Sequence, residues 1–460
     1  MPRADPVIFS PAAKQEFEMA ADEFKLNVSH DTKLLSLHVT PDTTVSAKTE
    51  VHEFAGPQME PVLKIGKTTL LSRIKGTTTH LLGIDILNTY RNLLFEGLEP
   101  NPSRRFKIVS RLPLSYKLVP SFIRNRTFRS PDGLSELTED NLGPIEFFRT
   151  LFLASLVSIS GPIPRIGFWR RGKTYALAVT HDVETEIGLN QGAPKMLETE
   201  QALGIRSTWN IPSERYPLKN EAVSRLARNG EVGTHDTKHD GRLVLTNERS
   251  MVSRLSSCKK QLEKLSGQKV RGFRAPLLQH SRPMLRALGT AGYEFDSSCP
   301  SWEMLSPTSF RPHGVRTVFP FYAENLLEIP VSLPQDHQLI RVAGQSPVEA
   351  SDLIVKISSW IRGIGGACVL LTHPDYEFAM EENRDAYSKI LETFRSDPAC
   401  DIMTLGEMAD WWRRRDSAEI RVDDGNVTVS SLDGKSPTAN LQPELVTGYG
   451  EDGFKVVSLY

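Results

Sequence analysis

The stretch Tyr175-Ala176-Leu177-Ala178-Val179-Thr180-His181-Asp182-Val183-Glu184 decides the reading of the fold. Five mostly apolar residues end abruptly in side chains that titrate. The run predicts a strand over 175–183, and the polar end is where chemistry sits if the strand belongs to a parallel sheet. Asp182 and Glu184 are two residues apart, so in an extended segment their carboxylates share one face. Two acids side by side repel unless a cation or a proton intervenes. The plain alternative is an acidic turn after a strand.

Outward from this stretch the same pattern repeats. Further strands are predicted at 206–211, 231–235, 270–274, 293–297, 326–331 and 367–373. Helical spacing fills several of the gaps, at 221–228, 247–265 and 350–361. Thr404-Leu405-Gly406-Glu407 has capping-box spacing and opens a last helix through Trp411 and Trp412. Repeated βα units of this kind make a parallel sheet, open or closed into a barrel.

Three more strand ends carry polar groups. Gly233-Thr234-His235-Asp236-Thr237-Lys238-His239 places two imidazoles four apart. On one side of a helical turn such a pair can hold one metal, although chance pairs are common. With one carboxylate, two imidazoles leave coordination positions free for water. Phe273-Arg274-Ala275-Pro276 offers a guanidinium that can orient a carboxylate, against the plain reading of a solvated Arg before a turn. Leu370-Leu371-Thr372-His373 delivers an imidazole whose ordinary pKa suits acid–base work, or a structural His.

The rest of the chain bounds the function. Its 460 residues suggest about two or three domains. Lys and Arg number 55 against 56 Asp and Glu, a net charge of −1, which argues against a nucleic-acid or membrane-surface binder. The four cysteines, Cys258, Cys299, Cys368 and Cys400, form no C-x-x-C pair and read as buried apolar residues of a reducing compartment. Residues 1–15 are too polar for a signal peptide, and the most apolar run, 147–159, is too short to span a bilayer. A cytoplasmic protein is expected. In the first part, 35–39 alternates like a strand and 84–95 has helical spacing. The basic run 104–129 reads first as a solvated face and second as a contact for an acidic partner. Gly66-Lys67-Thr68-Thr69 looks like the end of a phosphate loop, but the Gly required five positions earlier is Pro61, which has no N–H to offer. After 416 the chain turns to Gly, Asp and Asn around short β-type runs at 420–422, 427–429 and 454–457, a small β appendage.

Together these motifs resemble the polysaccharide deacetylase superfamily with its NodB-like domain (carbohydrate esterase family 4). The resemblance covers roughly 173–412. It implies an α/β fold, a distorted (β/α)7-8 barrel over 173–415, flanked by an N-terminal accessory region (1–172) and a C-terminal β-rich tail (416–460). It also implies a divalent metal, with zinc expected and cobalt, nickel or iron compatible with the same ligands. The family's first motif has adjacent aspartates. Here Asp182 falls on the base position and Val183 on the metal position, so the stretch resembles a variant motif that moves the metal acid one residue on, to Glu184. The family's His-x-x-x-His falls on His235 and His239, its Arg-x-Pro on Arg274 and Pro276, and its Leu-x-x-His on Leu370 and His373. Asp296, with Trp302 nearby, resembles the motif that holds the Arg and walls the acyl pocket. Asp336, in Pro334-Gln335-Asp336, is a further candidate for the mouth.

The implied chemistry is amide hydrolysis of a small molecule or glycan, with Asp182 as base, His373 as acid and Arg274 orienting Asp182. Three functions stay open at this point. One is an N-acetyl amino-sugar or glycan deacetylase. The second is a related amidase acting on a ureide or formamide. The third is a carbohydrate-binding barrel without catalysis, which Val183 favours and the intact Asp182, His235, His239, Arg274 and His373 oppose.

Overall fold

The computed structural model describes residues 5–99, 131–306, 308–309, 311–423, 426–432, 438 and 440–459. The basic run 104–129 lies outside the described residues.

Early in the chain β-type runs pair locally. β1 (Val7–Phe9), β2 (Asn27–Thr40), β3 (Thr43–Ala55), β4 (Met59–Ile65), β5 (Thr68–Ile74) and β6 (Thr79–Leu82) form two small sheets. β2 and β3 make an antiparallel ribbon, and the other sheet has the order β1-β6-β5-β4. Gly66 and Lys67 are the two-residue turn between β4 and β5, with Ile65 opposite Thr68. Gly66 has φ +54, a region glycine enters without strain, so its place is explained by the hairpin. Among the described residues, three helices of ten residues or more accompany these strands: α1 (Lys14–Glu23), α2 (Ile86–Leu98) and α3 (Pro144–Ser160). α3 contains the chain's most apolar run. Phe147, Phe148, Leu151 and Ala154 are buried in it, and it packs on β3. No helix among the described residues is long and apolar enough to cross a membrane.

The main sheet follows β7 (Ile163–Ile166). Its strands are β8 (Tyr175–Asp182), β9 (Thr208–Ile211), β10 (Glu231–Thr234), β11 (Gly272–Phe273), β12 (Phe295–Asp296), β13 (Phe321–Ala323), β14 (Leu326–Glu328), β15 (Ala367–Thr372) and β16 (Cys400–Ile402). Their order is β13-β14-β12-β11-β10-β9-β8-β15, with β16 also on β8. All these pairings are parallel except β13 with β14. Every residue of β8 is buried, as expected for a strand covered on both faces. One edge of β8 is shared: Tyr175–Leu177 pair with β16 and Thr180–Asp182 with β9.

The covering helices are α4 (Ala193–Ala202), α5 (Asn220–Asn229), α6 (Glu248–Ser266), α7 (Arg282–Thr290), α8 (Pro347–Ile364), α9 (Arg384–Ser396) and α10 (Leu405–Asp416). Their ends are specified locally. Ser346 and Glu349 form a capping box on α8, and Thr404 and Glu407 form the one predicted on α10. Gly267 and Gly365 close α6 and α8 in the left-handed region.

The sheet curls into the expected distorted barrel, and its last seam is made by a side chain. Beyond β14, the Ser332 hydroxyl accepts the Val369 N–H of β15 at 2.8 Å and donates to the Ala367 carbonyl. The Leu333 N–H then donates to the Val369 carbonyl at 3.2 Å.

The tail after α10 forms a hairpin, β17 (Ala418–Asp423) with β18 (Asn426–Ser431), and a second pair, β19 (Pro443–Gly450) with β20 (Gly453–Ser458). β19 also pairs antiparallel with β7, where Arg165 and Glu444 meet at 2.9 Å. The strand that leads into the barrel is thus paired with one of the last in the chain.

Candidate metal centre and active site

The C-terminal ends of adjacent strands bring the titratable groups together. β8 delivers Asp182 and, just beyond it, Glu184. β10 delivers His235, β11 Arg274 and β15 His373. One ligand atom each from Glu184, His235 and His239 lies within 4.8 Å of the others. Nε2 of both histidines is buried and has no hydrogen-bond partner. His235 Nδ1 lies 2.9 Å from the Arg274 carbonyl, which as an acceptor fixes the proton there and leaves Nε2 with a free lone pair. His239 Nε2 is 2.9 Å from Glu184 Oε1 but lacks hydrogen-bond geometry, an approach that suits two ligands of a common centre. Burial pushes His235 down to about 4, so it is neutral near pH 7, as a metal ligand must be. These residues fit a divalent cation: two imidazoles and one carboxylate, with two buried nitrogens otherwise unsatisfied.

The helical turn expected for His235 and His239 is not what holds them. Residues 235–240 form a loop in which Asp236 and His239 are left-handed, with φ 62 and φ 51. Arg254 of α6 clamps that loop, binding both Asp236 and Asp240. The Ser213 N–H bonds the Asp236 carbonyl at 3.0 Å. The local ion pairs outweigh the helical spacing of the two histidines.

Asp182 stands beside this trio, 3.8 Å from His235 Nε2. The Asn210 side-chain amide donates to its Oδ1 at 3.0 Å, and Arg274 approaches the same oxygen at 3.6 Å. Burial alone would push Asp182 up. The neighbouring charges and the Asn210 hydrogen bond hold it below the usual carboxylate range. Since His235 is neutral, Arg274 and His373 supply the positive charge next to it. Glu184 is likewise held well down against burial, chiefly by His239. Its N–H donates to Asp375 Oδ2 at 2.8 Å, and burial pushes Asp375 up to about 6.

Arg274 is fully buried. It donates to Thr180 Oγ1 at 3.2 Å and to Ser297 Oγ at 2.8 Å. Asp296, expected to hold it, makes no hydrogen bond to it. Asp296 instead accepts from Ser298 at 2.7 Å and lies opposite Glu328. Burial raises both acids, and the Asp296 charge raises Glu328 further. One proton between them accounts for their two unpartnered oxygens. Pro276 opens a tight turn after Arg274, anchored where the Ala275 N–H donates to Ser298 at 2.8 Å. Trp302 is buried with the Arg316 guanidinium 3.6 Å from its ring, and no hydrogen bond joins it to the trio.

Asp336 is fully buried, and its partner is His373. It accepts from the His373 backbone at 3.0 Å and from Nδ1 at 2.7 Å. Burial would lower His373, but Asp336, with Glu184 and Asp182, raises it to about 10. Tyr376 stacks on the ring at 4.8 Å. The imidazole is therefore cationic near neutral pH, with Nδ1 engaged and Nε2 left to serve a reactant.

Residues 171–295 match the family model described as polysaccharide deacetylase. That match places this segment in the polysaccharide deacetylase superfamily.

A protein from Mycobacterium smegmatis assigned as a polysaccharide deacetylase is 21% identical, over 54% of this chain and 93% of that one, with a TM-score of 0.46. An allantoinase is 14% identical over 55% of this chain and 94% of that one, with a TM-score of 0.45. A mutant of a CE4-family pseudoenzyme with restored activity is 16% identical over 54% and 71%, with a TM-score of 0.35. No curated protein matches the chain.

Sequence reasoning missed several supports of this site: Asn210, Ser297, Asp375 and Tyr376. Asn210 lies in β9 and Ser297 just past β12, so the rule that strand ends line the mouth would have found both. Asp375 follows His373 by two residues and had the same signal.

Proposed function

We propose that the barrel at 173–415 is a metal-dependent hydrolase that removes an acyl group, an N-acetyl group by preference, from an amino sugar or glycan. The observation that carries this reading is the Glu184–His235–His239 trio, with two buried imidazole nitrogens facing a common centre. These three residues would hold the metal, zinc by the chemistry of the donors. When bound, the metal supplies a Lewis acid that polarises the acyl carbonyl and acidifies a water.

The remaining steps fall to the chain's own residues. Asp182, kept ionised by Arg274 and aimed by Asn210, takes a proton from the attacking water. His373, oriented by Asp336, gives a proton to the departing nitrogen, which leaves poorly without one. Arg274 touches Asp182 and serves as a positioning residue. The flanks, 1–172 and 416–460, carry none of these groups.

The test is metal content beside turnover. Protein purified without chelator should hold one divalent ion per chain, and it should hydrolyse N-acetylglucosamine oligomers in preference to allantoin or N-formyl compounds. Glu184→Ala should lose the ion. Asp182→Asn should keep it and lose turnover by at least about 10²-fold. The reverse pattern would make Asp182 the ligand, and a wild-type chain that binds no metal would end the reading.

A further inference from the structure

Arg215 takes no part in the chemistry above. It lies in the segment after β9, which is sewn to the histidine loop: the N–H groups of Ser213 and Glu214 donate to the carbonyls of Asp236 at 3.0 Å and Thr237 at 2.7 Å. The next residue, Tyr216, reaches back and donates its hydroxyl to the Val183 carbonyl at 2.7 Å, between Asp182 and Glu184. Arg215 is therefore held between the two strand ends that carry the trio, and its charge acts on Glu184.

Nη1 of Arg215 is buried and has no hydrogen-bond partner, and the side chain makes no ion pair within 4.0 Å among the described residues. A guanidinium nitrogen removed from water without an acceptor is unfavourable, and such groups call for a partner. The acids nearby are engaged. Glu184 faces His239 at 2.9 Å, and Asp375 accepts from the Glu184 N–H and from Thr185.

The other wall of the mouth has a second unpaired group. The order β9-β8-β15 places the segment that carries Arg215 and the strand end that carries His373 on opposite sides of β8. Next to His373, with ring centroids 6.4 Å apart, lies His337, whose Nδ1 is also buried without a partner. Burial pushes His337 down to about 4, so near pH 7 it is a neutral ring with one donor and one acceptor. One side of the mouth thus carries the Arg215 guanidinium, and the other carries the cationic His373 with a neutral polar ring beside it.

We propose that Arg215 is a specificity residue that binds an oxyanion on the substrate, a carboxylate or a phosphate, while the acyl group faces the trio. An anionic amino sugar fits this arrangement better than a neutral one, because a guanidinium offers a fork of donors matched to such a group. The inference rests on the proposed function and narrows its substrate class.

The test is calorimetric binding to the zinc-loaded full chain, with three probes: N-acetylglucosamine, N-acetylglucosamine 6-phosphate and N-acetylmuramic acid. At least one charged probe should bind about tenfold or more tighter than the neutral one. Which one does so distinguishes phosphate from carboxylate. In Arg215→Gln that ratio should collapse towards one, and Arg215→Lys should recover part of it. The ratio is the readout, so a general loosening of the site cancels out. Equal binding of all three probes by the wild-type chain, or a ratio that survives in Arg215→Gln, overturns the role of Arg215 and leaves the proposed function standing. A zinc-loaded chain that binds none of the three overturns both the amino-sugar reading and this refinement.

Discussion

Asp336 governs His373 through two contacts, one to the ring and one to the backbone. His373 has a folded pKa of about 10, above its ordinary 6.5. A raised pKa stabilises the fold fully below the ordinary value, and that contribution is lost as pH climbs through about 10. In Asp336→Asn the largest raising influence disappears. The alkaline limb of kcat/KM should then move to lower pH by about 1 unit or more, while metal content holds. A pH–rate profile with an unmoved alkaline limb would mean that His373 is not the group titrating there. The sequence made His373 visible because a strand delivers it. Asp336 was visible only as a residue beyond the expected strand 326–331, because its bond to His373 joins positions 37 apart in the chain. The bond from Glu184 to Asp375 spans 191 positions, and no local pattern encodes it.

At the scale of elements, most strands of the barrel and its helices α5, α6, α8 and α10 were legible, whereas β13, β16, α4, α7, α9 and the histidine loop were not. The apolar run of β8, the helical spacing of α6 and the capping box of α10 are local signals, and each element formed where its signal lay. The His235–His239 spacing is a local signal too, yet it sits in a loop, because Arg254, early in α6, binds Asp236 and Asp240. That clamp makes a prediction. Arg254→Ala should leave the barrel folded but free the loop, and zinc affinity should fall roughly 10–100-fold, the usual effect of losing a ligand's support. Competition with a chromophoric chelator measures it. An unchanged affinity would show that the hydrogen bond from Ser213 suffices to hold the loop.

At the scale of the whole molecule, the barrel's seam uses the Ser332 hydroxyl beside the Leu333–Val369 backbone bond. Ser332 stands in for a backbone group between β14 and β15, and Ser332→Ala leaves the buried Val369 N–H without an acceptor. A loss of about 1–3 kcal/mol is expected in urea unfolding, with faster hydrogen exchange at Val369 than at Val179. Equal protection at the two sites would mean that the seam closes by packing alone. Outside the barrel the sequence was less readable. Of the six strands before α2, only part of β2 carried clear alternation, since short ribbons with one wet face leave faint patterns. The pairing of β7 with β19 was not readable at all, because it joins Arg165 to Glu444, 279 positions away. That distance acquires a meaning in time when the chain is made. At about 5–20 residues per second, the ribosome needs on the order of tens of seconds to go from one to the other. Throughout that interval β7 lacks the strand it pairs with and leaves its edge open to any stray strand until that partner has been translated.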